Sequence, residues 1–370
     1  MVDLRSQYLR HKDEIDAAIQ DVLESTAFIR GSAVTEFQSE LSEYMGSEHC
    51  IACANGTDAL QVAMMSLDLQ PGDEVITTPF TFIATIEVIS LLKLKPVLVD
   101  IDPDTFNINP SYFDDVLCEK TRAVVPVHLF GQAAEMHTIL QFAKKHDLLV
   151  IEDNAQAIGA TFTFPDGTKK KAGTLGDIGC TSFFPSKNLG AYGDGGAIFT
   201  DDPTLAEKIS SMVNHGMSKR YHYDHVGVNS RLDTMQAAIL RVKLKHLDEY
   251  HAARKKLAGR YDDAFKDLPE LKIPARSDWS DHIFHQYTLQ VDATIRDKLK
   301  AYLAEQGIPS MIYYPIPLHV QKAYNMLGYK EGDFPVAEET CKKVLSLPMH
   351  TEMEEDQAEY IIEKIANFFN

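Results

Sequence analysis

The sequence has 370 residues, 45% of them hydrophobic and 24% charged, which is enough material for a large core and a second, smaller domain. Its formal net charge of -18 at pH 7 argues against nucleic acid or an anionic membrane as a partner, because either would repel the chain. The N-terminal residues are charged and no apolar run approaches the roughly 20 residues of a membrane-spanning helix, so we expect a cytoplasmic protein.

The first half of the chain predicts an α/β fold. The first 25 residues predict a helix packed against the body. From about residue 47 to 200, helical patterns alternate with short apolar runs, namely HCIACA, EVITTP, KPVLVDID, RAVVPVHLF, LLVIEDNA, DIGCTSFFP and GGAIFTDD. This alternation predicts a mostly parallel sheet between two layers of helices. Ligands of such sheets bind beyond the carboxyl ends of the strands.

The second half changes pattern. Residues 203–267 are helical in pattern, and 231–265 read as one long or broken helix. After Pro269 and Pro274 come a strand, HQYTLQVD, a helix, DKLKAYLAEQG, and a last helix-bearing segment. We therefore expect a large domain over residues 1–249, with the N-terminal helix, and a smaller C-terminal α/β domain over 250–370.

The five cysteines do not form a disulfide framework, because they are odd in number and scattered. Cys50 and Cys53 have the spacing of a redox or metal pair, but they lie in an apolar strand-like run. Neither a second pair nor a histidine cluster completes four ligands. The pattern favours a buried strand with reduced thiols, and no metal site is predicted.

Two polar residues follow predicted strands. Asp153 comes directly after LLVIE, where a carboxylate can reach a ligand or simply cap a loop. Lys187 follows TSFFP and precedes a glycine-rich stretch. A lysine held near a desolvated strand end has a lowered pKa and can attack an aldehyde. Taken alone, Lys187 is equally compatible with a phosphate contact or an ordinary loop position.

A phosphate-binding turn is predicted at CANGTDAL. Gly56 and Thr57 open a helix after a strand, so backbone N–H groups there can face a phosphate, although an ordinary capped helix is the alternative. A phosphate cradle, an acid for a pyridine nitrogen and a lysine for an aldehyde together indicate pyridoxal 5'-phosphate. Its protonated ring nitrogen makes this cofactor an electron sink.

Longer motifs make the prediction more specific. EDNAQAIGA, TSFFPSKNLGAYGDGGAIFTDD, GVNSRLDTMQAAIL and YYPIPLH resemble the DegT/DnrJ/StrS family of sugar-nucleotide aminotransferases, and the likeness covers essentially the whole chain. The resemblance implies the fold type I aminotransferase architecture and pyridoxal 5'-phosphate as cofactor. It also implies glutamate as the amino donor and a homodimer with active sites at the subunit interface.

The resemblance also assigns cofactor-binding residues. Lys187 matches the catalytic Schiff-base lysine, Asp153 the partner of the pyridine nitrogen, and Gln156 the residue near the cofactor's phenolic oxygen. The other matches are Gly56, Thr57 and Ser182 at the phosphate, Phe82 on the face of the ring, and Asn229, which reaches the phosphate from the other subunit. Without the family context, Phe82 would be interpreted as a core residue.

The implied substrate is a nucleotide-linked keto-sugar. The motifs are most similar to those of enzymes that aminate C3 of UDP-2-acetamido-3-keto-uronic acids for surface polysaccharides such as O-antigen. The expected substrate contacts are Arg30, Arg220, Arg231, Tyr313, Tyr314 and His319. Arg231 can hold a carboxylate or phosphate through two parallel hydrogen bonds, whereas Arg30 is equally interpreted as a plain exposed residue. Tyr313 stands where that subgroup has histidine, which keeps a neutral 6-deoxy sugar open.

Three alternatives remain. In the first alternative, the substrate is a dTDP-linked 3-keto- or 4-keto-6-deoxyhexose. The second is a dehydratase of the same fold, which would carry histidine in place of Lys187. The third is a non-catalytic regulator, in which the intact set of Lys187, Asp153 and Gln156 would have no purpose.

Overall fold

A computed structural model describes residues 1–369. The α-helices are α1 (Leu4–Arg10), α2 (Lys12–Ser25), α3 (Ser32–Met45), α4 (Gly56–Ser66), α5 (Ala84–Leu91), α6 (Phe113–Val116), α7 (Met136–His146), α8 (Pro203–Met212), α9 (Thr234–Leu244), α10 (Leu247–Phe265), α11 (Ala293–Glu305), α12 (Pro335–Lys343) and α13 (Glu355–Phe369). The strands are β1 (His49–Cys53), β2 (Glu74–Thr77), β3 (Lys95–Leu98), β4 (Thr121–Val124), β5 (Leu149–Asp153), β6 (Thr161–Thr163), β7 (Lys169–Lys171), β8 (Ile178–Ser182), β9 (Gly196–Thr200), β10 (Met217–Lys219), β11 (His222–Tyr223), β12 (Leu271–Lys272), β13 (Ser280–Asp281), β14 (Tyr287–Val291) and β15 (Val344–Leu347).

A seven-stranded sheet in the order β1-β9-β8-β5-β4-β2-β3 forms the centre of the protein. The pairs from β8 to β3 are parallel, whereas β9 runs antiparallel to both of its neighbours, β8 and β1. Residues of α4 and α8 form one apolar cluster with the sheet, and residues of α3 and α9 form another. The predicted α/β fold with a mostly parallel sheet between helices is confirmed.

Strand β1 shows why the cysteine pair is structural. Ile51 and Cys53 belong to the apolar cluster on one face of the sheet, and Cys50 and Ala52 to the cluster on the other. Alternate side chains of a strand point to opposite faces, so the two thiols are directed away from each other. The five cysteines are free, and burial raises the pKa of both thiols of the pair. The prediction of a buried strand is confirmed.

The N-terminal segment differs from the single helix that the sequence predicts. It forms two helices, α1 and α2, because His11 leaves the helical conformation with φ -117° and ψ 21°. Helix α2 packs on α9. The segment predicted as one long or broken helix is indeed broken, since Lys245 and His246 separate α9 from α10.

A smaller antiparallel sheet, β12-β14-β15, packs with α11 and α13 around an apolar core of its own. Helix α10 contributes to both cores, with Leu247 and Tyr250 in the large one and Leu257, Tyr261 and Phe265 in the small one. The predicted division between residues 249 and 250 falls inside this helix and stays a prediction. Within residues 1–369, no helix is both long and apolar enough to cross a lipid bilayer.

Candidate active site

The chemically interesting residues lie at one edge of the central sheet. Strands β5 and β8 are parallel neighbours, with Asp153 in register with Cys180. Asp153 is the last residue of β5, Ser182 is the last of β8, and Lys187 follows five residues later in the chain. The carboxyl ends of parallel strands meet at one edge, so the sheet itself brings these side chains together.

Asp153 is buried and its carboxylate is held in place from two sides. The hydroxyl of Thr85, in the first turn of α5, donates a hydrogen bond to Oδ2 over 2.8 Å. The backbone N–H of Ala155 donates to Oδ1 over 3.1 Å. Thr85 is itself fully buried, so the carboxylate keeps one orientation. A fixed carboxylate is what a protonated pyridine nitrogen requires as a partner.

Lys187 is partly buried, and withdrawal of its amine from water lowers its pKa to about 8. The nearby charge of Asp153 acts in the opposite direction and raises the pKa, which places the two groups within electrostatic reach. At neutral pH roughly a tenth of such amines are unprotonated, whereas an ordinary lysine is almost entirely charged. Lys187 is therefore a competent nucleophile toward an aldehyde.

Gln156 links the backbone after β4 to the segment that contains Tyr313 and Tyr314. Its Oε1 accepts from the backbone N–H of Phe130 over 2.8 Å, and its Nε2 donates to the hydroxyl of Tyr314 over 3.0 Å. The pKa of Tyr314 is raised, chiefly by burial and also by the charge of Asp153. Asp153, Gln156, Lys187 and Tyr314 thus share one region of the structure.

The start of α4 forms a cradle suited to phosphate. Asn55 accepts a hydrogen bond from the N–H of Asp58 over 2.8 Å, while the N–H groups of Gly56 and Thr57 have no acceptor in the helix by its geometry. A Cβ at Gly56 would lie 2.6 Å from the Cβ of Ser182, so only glycine lets the helix approach that serine. The N–H groups of Gly56 and Thr57 and the hydroxyls of Thr57 and Ser182 are donors suited to a phosphate at a helix N-terminus.

Phe82 lies in the turn before α5, with its carbonyl oxygen 3.4 Å from the hydroxyl oxygen of Thr85. Its side chain is 56% exposed, so the interpretation of Phe82 as a core residue is wrong. An exposed aromatic ring three residues before Thr85 is available to pack on a flat ligand. Phe184, beside Lys187, is similarly exposed at 53%.

The motif GVNSRLD, residues 227–233, lies between β11 and α9. Asn229 is exposed and forms an isolated antiparallel bridge with Asn214, and Arg231 donates from Nη1 to Oδ1 of Asn214 over 3.0 Å. Arg220 is exposed between β10 and β11, with its guanidinium 5.3 Å from the centre of the Tyr221 ring. The roles expected of Asn229, Arg220 and Arg231 stay predictions.

His319, Arg30 and Tyr313 are the remaining expected substrate residues. His319 is fully buried, and its Nε2 is 3.0 Å from Oε1 of Glu338 while its ring packs on Phe334. Because this ring has no exposed surface in the single chain and its Nε2 already contacts Glu338, the structure adds no support to the expected sugar contact of His319, which stays a prediction. Arg30 is exposed in a left-handed conformation, with φ 54°. Tyr313 is partly buried next to Tyr314.

The structure adds two residues that the sequence does not single out, Thr85 and His285. Thr85 orients Asp153, as described above. His285, from the smaller unit, is 3.3 Å from Asn188, the residue after Lys187. Burial lowers the pKa of His285, and the Lys187 charge lowers it further. Thr85 stands three residues after Phe82 in TPFTFIAT, and this proximity to a predicted site residue is its only signal in the sequence. The sequence around His285 gives no such signal.

The chain matches the DegT/DnrJ/EryC1/StrS aminotransferase family over residues 10–366. A pleiotropic regulatory protein of Geobacillus stearothermophilus is 48% identical to it, over 100% of this chain and 98% of that protein. The UDP-2-acetamido-2-deoxy-3-oxo-D-glucuronate aminotransferase of Pseudomonas aeruginosa is 43% identical over 99% of both chains. The dTDP-3-amino-3,6-dideoxy-alpha-D-galactopyranose transaminase of Aneurinibacillus thermoaerophilus is 41% identical over 99% of this chain and 98% of that protein.

Solved structures agree with this relationship. The structure of DesV from S. venezuelae in complex with a ketimine intermediate superposes with a TM-score of 0.95 at 36% identity, covering 100% of this chain and 98% of that one. The structure of ntda from Bacillus subtilis, with bound cofactor PMP, gives a TM-score of 0.89 at 30% identity, covering 97% of this chain and 82% of that one.

Proposed function

Since the chain belongs to the DegT/DnrJ/EryC1/StrS aminotransferase family, we propose that it moves an amino group from glutamate to C3 of a UDP-2-acetamido-2-deoxy-3-keto-uronic acid, for surface polysaccharide synthesis. The protein is a sugar aminotransferase that depends on pyridoxal 5'-phosphate. The observation that carries the chemistry is the Lys187 amine, with its lowered pKa, within reach of the fixed Asp153 carboxylate. A cytoplasmic location stays a prediction.

The residues at the sheet edge fit the cofactor. Gly56, Thr57 and Ser182 would hold its phosphate, Asp153 its pyridine nitrogen, and Lys187 its aldehyde. When bound, pyridoxal 5'-phosphate supplies an aldehyde that condenses with amines and a ring that draws electrons from the adjacent carbon.

Lys187 has two tasks in this scheme. Its neutral amine would hold the cofactor through the aldehyde carbon until the amino donor takes its place. The freed Nζ then takes the proton from the donor carbon that bears nitrogen and delivers it to C4' of the cofactor. With the keto-sugar, Lys187 moves the proton in the opposite direction.

Asp153 and Gln156 keep the electronic state of the site constant through both halves of the reaction. The negative charge of Asp153 favours protonation of the pyridine nitrogen, and its two hydrogen bonds prevent it from turning away. Gln156 is fixed by Phe130 and Tyr314, so its amide presents the same face to the cofactor's phenolic oxygen. Because these groups are oriented before a ligand arrives, little reorganisation is needed during the reaction.

The uronic acid is proposed on two grounds. The Pseudomonas aeruginosa relative, 43% identical over 99% of both chains, is named for a 3-oxo-glucuronate. Arg231 supplies a guanidinium that can bind a carboxylate, whether of the sugar or of glutamate, and Asn214 limits its freedom to turn. A homodimer in which Asn229 completes the neighbouring site is part of the same proposal, since Asn229 is exposed on a single chain.

A second candidate substrate is a dTDP-linked 3-keto- or 4-keto-6-deoxyhexose. Two observations favour it: the relative named as a dTDP-3-amino-3,6-dideoxygalactose transaminase is 41% identical, and Tyr313 replaces the expected histidine. A 6-deoxy sugar has no carboxylate, so this candidate gives Arg231 only the donor to bind.

A panel of keto-sugar nucleotides distinguishes the candidates. The purified holoenzyme is given glutamate with the UDP-3-keto-uronate, the UDP-3-keto-N-acetylglucosamine or the dTDP-3-keto-6-deoxyglucose, and release of 2-oxoglutarate is followed. We expect the uronate to have a kcat/KM at least about tenfold above the others, which corresponds to one extra charged contact. A higher value for the dTDP-sugar would establish the second candidate instead.

A regulatory role is tested by the same protein. One relative, 48% identical, is named a pleiotropic regulatory protein, and a regulator without enzymatic activity is the remaining alternative. The set of Lys187, Asp153 and Gln156 argues for catalysis, because a pure regulator has no need of a lysine with a lowered pKa. A protein with no yellow colour, no spectral change on adding glutamate and no turnover on the panel would support the regulator.

A further inference from the structure

A cluster of two histidines and a glutamate lies away from the residues of the cofactor site. His11 separates α1 from α2, Glu14 is in the first turn of α2, and His246 lies between α9 and α10. One possible ligand atom from each residue lies within 4.8 Å of the other two. The imidazole rings of His11 and His246 are stacked, with centroids 3.9 Å apart.

The polar atoms of this cluster are not otherwise satisfied. His11 is only 7% exposed, and within residues 1–369 its Nε2 has no hydrogen-bond partner. Neither ring nitrogen of His246 has one there either. Glu14 and Glu249 place carboxylate oxygens 3.9 Å and 3.6 Å from the two nitrogens of His246, beyond hydrogen-bonding distance. Buried polar atoms without a partner are rare in native proteins and call for an explanation.

We propose that His11, Glu14 and His246 bind one divalent transition-metal ion of the zinc class. Two imidazoles and a carboxylate suit Zn²⁺, Ni²⁺ or Cu²⁺ rather than Mg²⁺ or Ca²⁺, which prefer oxygen ligands alone. Zinc accepts three protein ligands and completes a tetrahedron with water. The ligands of such an ion are roughly 3.3 Å apart, given bonds of about 2 Å. The side chains therefore need to close by about an ångström or two. This requires the exposed Glu14 to rotate and the stacked His11 and His246 rings to tilt apart, because the lone pairs that bind a metal lie in the planes of the rings.

The position of the ion indicates what it does. It links the first turn of α2 to the junction of α9 and α10, which are far from α2 in the sequence. Tyr8 of α1 packs edge-on against Tyr192, with ring centroids 6.1 Å apart, and the N–H of Tyr192 donates to Gln236 of α9 over 2.8 Å. Tyr192 belongs to the loop that follows Lys187. The ion thus fastens the N-terminal helices beside that loop and stabilises the fold without touching the reacting atoms.

Binding is measured on the tag-free holoenzyme after treatment with EDTA and exhaustive dialysis. Equilibrium dialysis with micromolar ZnCl₂ is expected to give one zinc ion per chain. His11→Gln and His246→Gln are expected to weaken zinc binding about a hundredfold, and Glu14→Gln about tenfold, because zinc sites depend on every ligand. The control is His137→Gln, which changes a histidine on α7 that is hydrogen-bonded to Gln141 and should leave zinc binding unchanged.

Two further measurements keep folding and catalysis apart from binding. Zinc should raise the Tm of the wild type and not of His246→Gln, while metal-free samples of both keep the same circular dichroism spectrum. X-ray absorption of the zinc-loaded wild type should show two imidazole ligands. Aminotransfer should continue in the metal-free protein, so failure of the proposed activity and failure of the zinc site are separate results. Equal zinc binding by the wild type and His246→Gln, or none by the wild type, would overturn the site.

Discussion

Thr85 and Asp153 come from different elements, α5 and β5, and are joined by a 2.8 Å hydrogen bond in the interior of the protein. Both side chains are buried, so the bond is shielded from water and from salt. The hydrogen bond from Thr85 therefore fixes the orientation of the Asp153 carboxylate. Its negative charge in turn acts on Lys187, whose pKa depends on it.

The first prediction concerns the pH dependence of cofactor binding. Lys187 has a pKa of about 8 in the cofactor-free protein, and only its neutral form attacks the aldehyde. The rate at which added pyridoxal 5'-phosphate becomes lysine-bound should therefore rise with pH and level off above about 8. Asp153 raises this pKa, so Asp153→Asn should move the midpoint to lower pH.

Stopped-flow absorbance at a series of pH values measures that midpoint. The matched control is Asp147→Asn, an exposed aspartate at the end of α7 whose left-handed conformation asparagine also adopts. It should titrate like the wild type. A midpoint for Asp153→Asn that lies above the wild-type value would contradict the electrostatic link between Asp153 and Lys187.

Substitution of Lys187 by alanine removes both the covalent attachment and the proton carrier. We expect Lys187→Ala to lose the visible absorption of the lysine-bound cofactor and to lose turnover by a factor of about 10⁴ or more. Lys145→Ala, on the exposed end of α7, is the control and should keep both. Near-normal turnover by Lys187→Ala would assign the chemistry to another residue.

Gly56 tests the phosphate cradle. A methyl group there would lie 2.6 Å from the Cβ of Ser182 and would push the start of α4 away. Gly56→Ala should weaken cofactor binding at least about tenfold, a loss equal to one charge-assisted hydrogen bond. Equilibrium dialysis of pyridoxal 5'-phosphate against the apoprotein measures this.

Gly259→Ala is the counterpart to that variant. Gly259 lies inside α10, and a Cβ there would meet no atom within 4 Å apart from the chain neighbours and the backbone of its own helix. Alanine is favoured over glycine in a helix by about 1 kcal/mol, so Gly259→Ala should bind the cofactor normally and unfold at a slightly higher temperature. If both variants bound it normally, the cradle at Gly56 would lose its support.

The shared-site prediction is tested by mixing two inactive variants. Lys187→Ala lacks the lysine and Asn229→Ala lacks the residue expected from the other subunit. If each site takes Lys187 from one chain and Asn229 from its partner, a mixed dimer has one intact site. Random reassociation of equal amounts should then restore about a quarter of the wild-type activity. Activity that stays at the sum of the separate variants would place Asn229 outside the partner's site.

Stability at acid pH provides a fifth prediction. Burial lowers the pKa of His282 to about 3, well below its ordinary 6.5. The unfolded chain therefore takes up a proton near pH 6.5 that the folded chain refuses until about pH 3, so stability falls as the pH falls through this window. The slope is about 1.4 kcal/mol per pH unit for each such proton.

His282→Gln removes one group that binds a proton in the unfolded chain but not in the folded chain between about pH 6.5 and 3. Glutamine keeps an acceptor for the N–H of Phe284, which His282 binds over 3.0 Å. Urea midpoints at pH 7.5 and 5.0 should show the variant less stable than the wild type at the higher pH and closer to it at the lower one. His251, whose pKa burial also lowers to about 3, stays in both proteins and keeps a common background slope. Parallel pH dependences for the two proteins would show that His282 does not contribute.

The sequence predicts most of the sheet because a buried strand is a short, continuous apolar run. Strand direction is not visible in such a run, and β9, antiparallel to both neighbours, has the same apolar pattern as the parallel strands. Asp153 and Lys187 are predictable because Asp153 ends one strand and Lys187 lies shortly after the end of its parallel neighbour. Thr85 and His285 are not, because their role arises from contacts between distant parts of the chain.

His319 illustrates the limit of transferring a role by motif. The motif YYPIPLH places a histidine near the expected sugar, whereas the fold turns its ring inward to Glu338. That glutamate also accepts hydrogen bonds from the N–H groups of Gly332 and Phe334, so the pair closes a turn before α12. Only the tertiary structure reveals that the ring is buried and that its Nε2 already has a partner.

Helix α10 has a mechanical consequence. The first turn of this helix lies in the core of the large sheet and its last turns lie in the core of the small one. Near its middle, Arg254 donates hydrogen bonds to the carbonyls of Phe284 and His285. The backbone at His285, whose ring is 3.3 Å from Asn188, is therefore held by the same helix that joins the two cores.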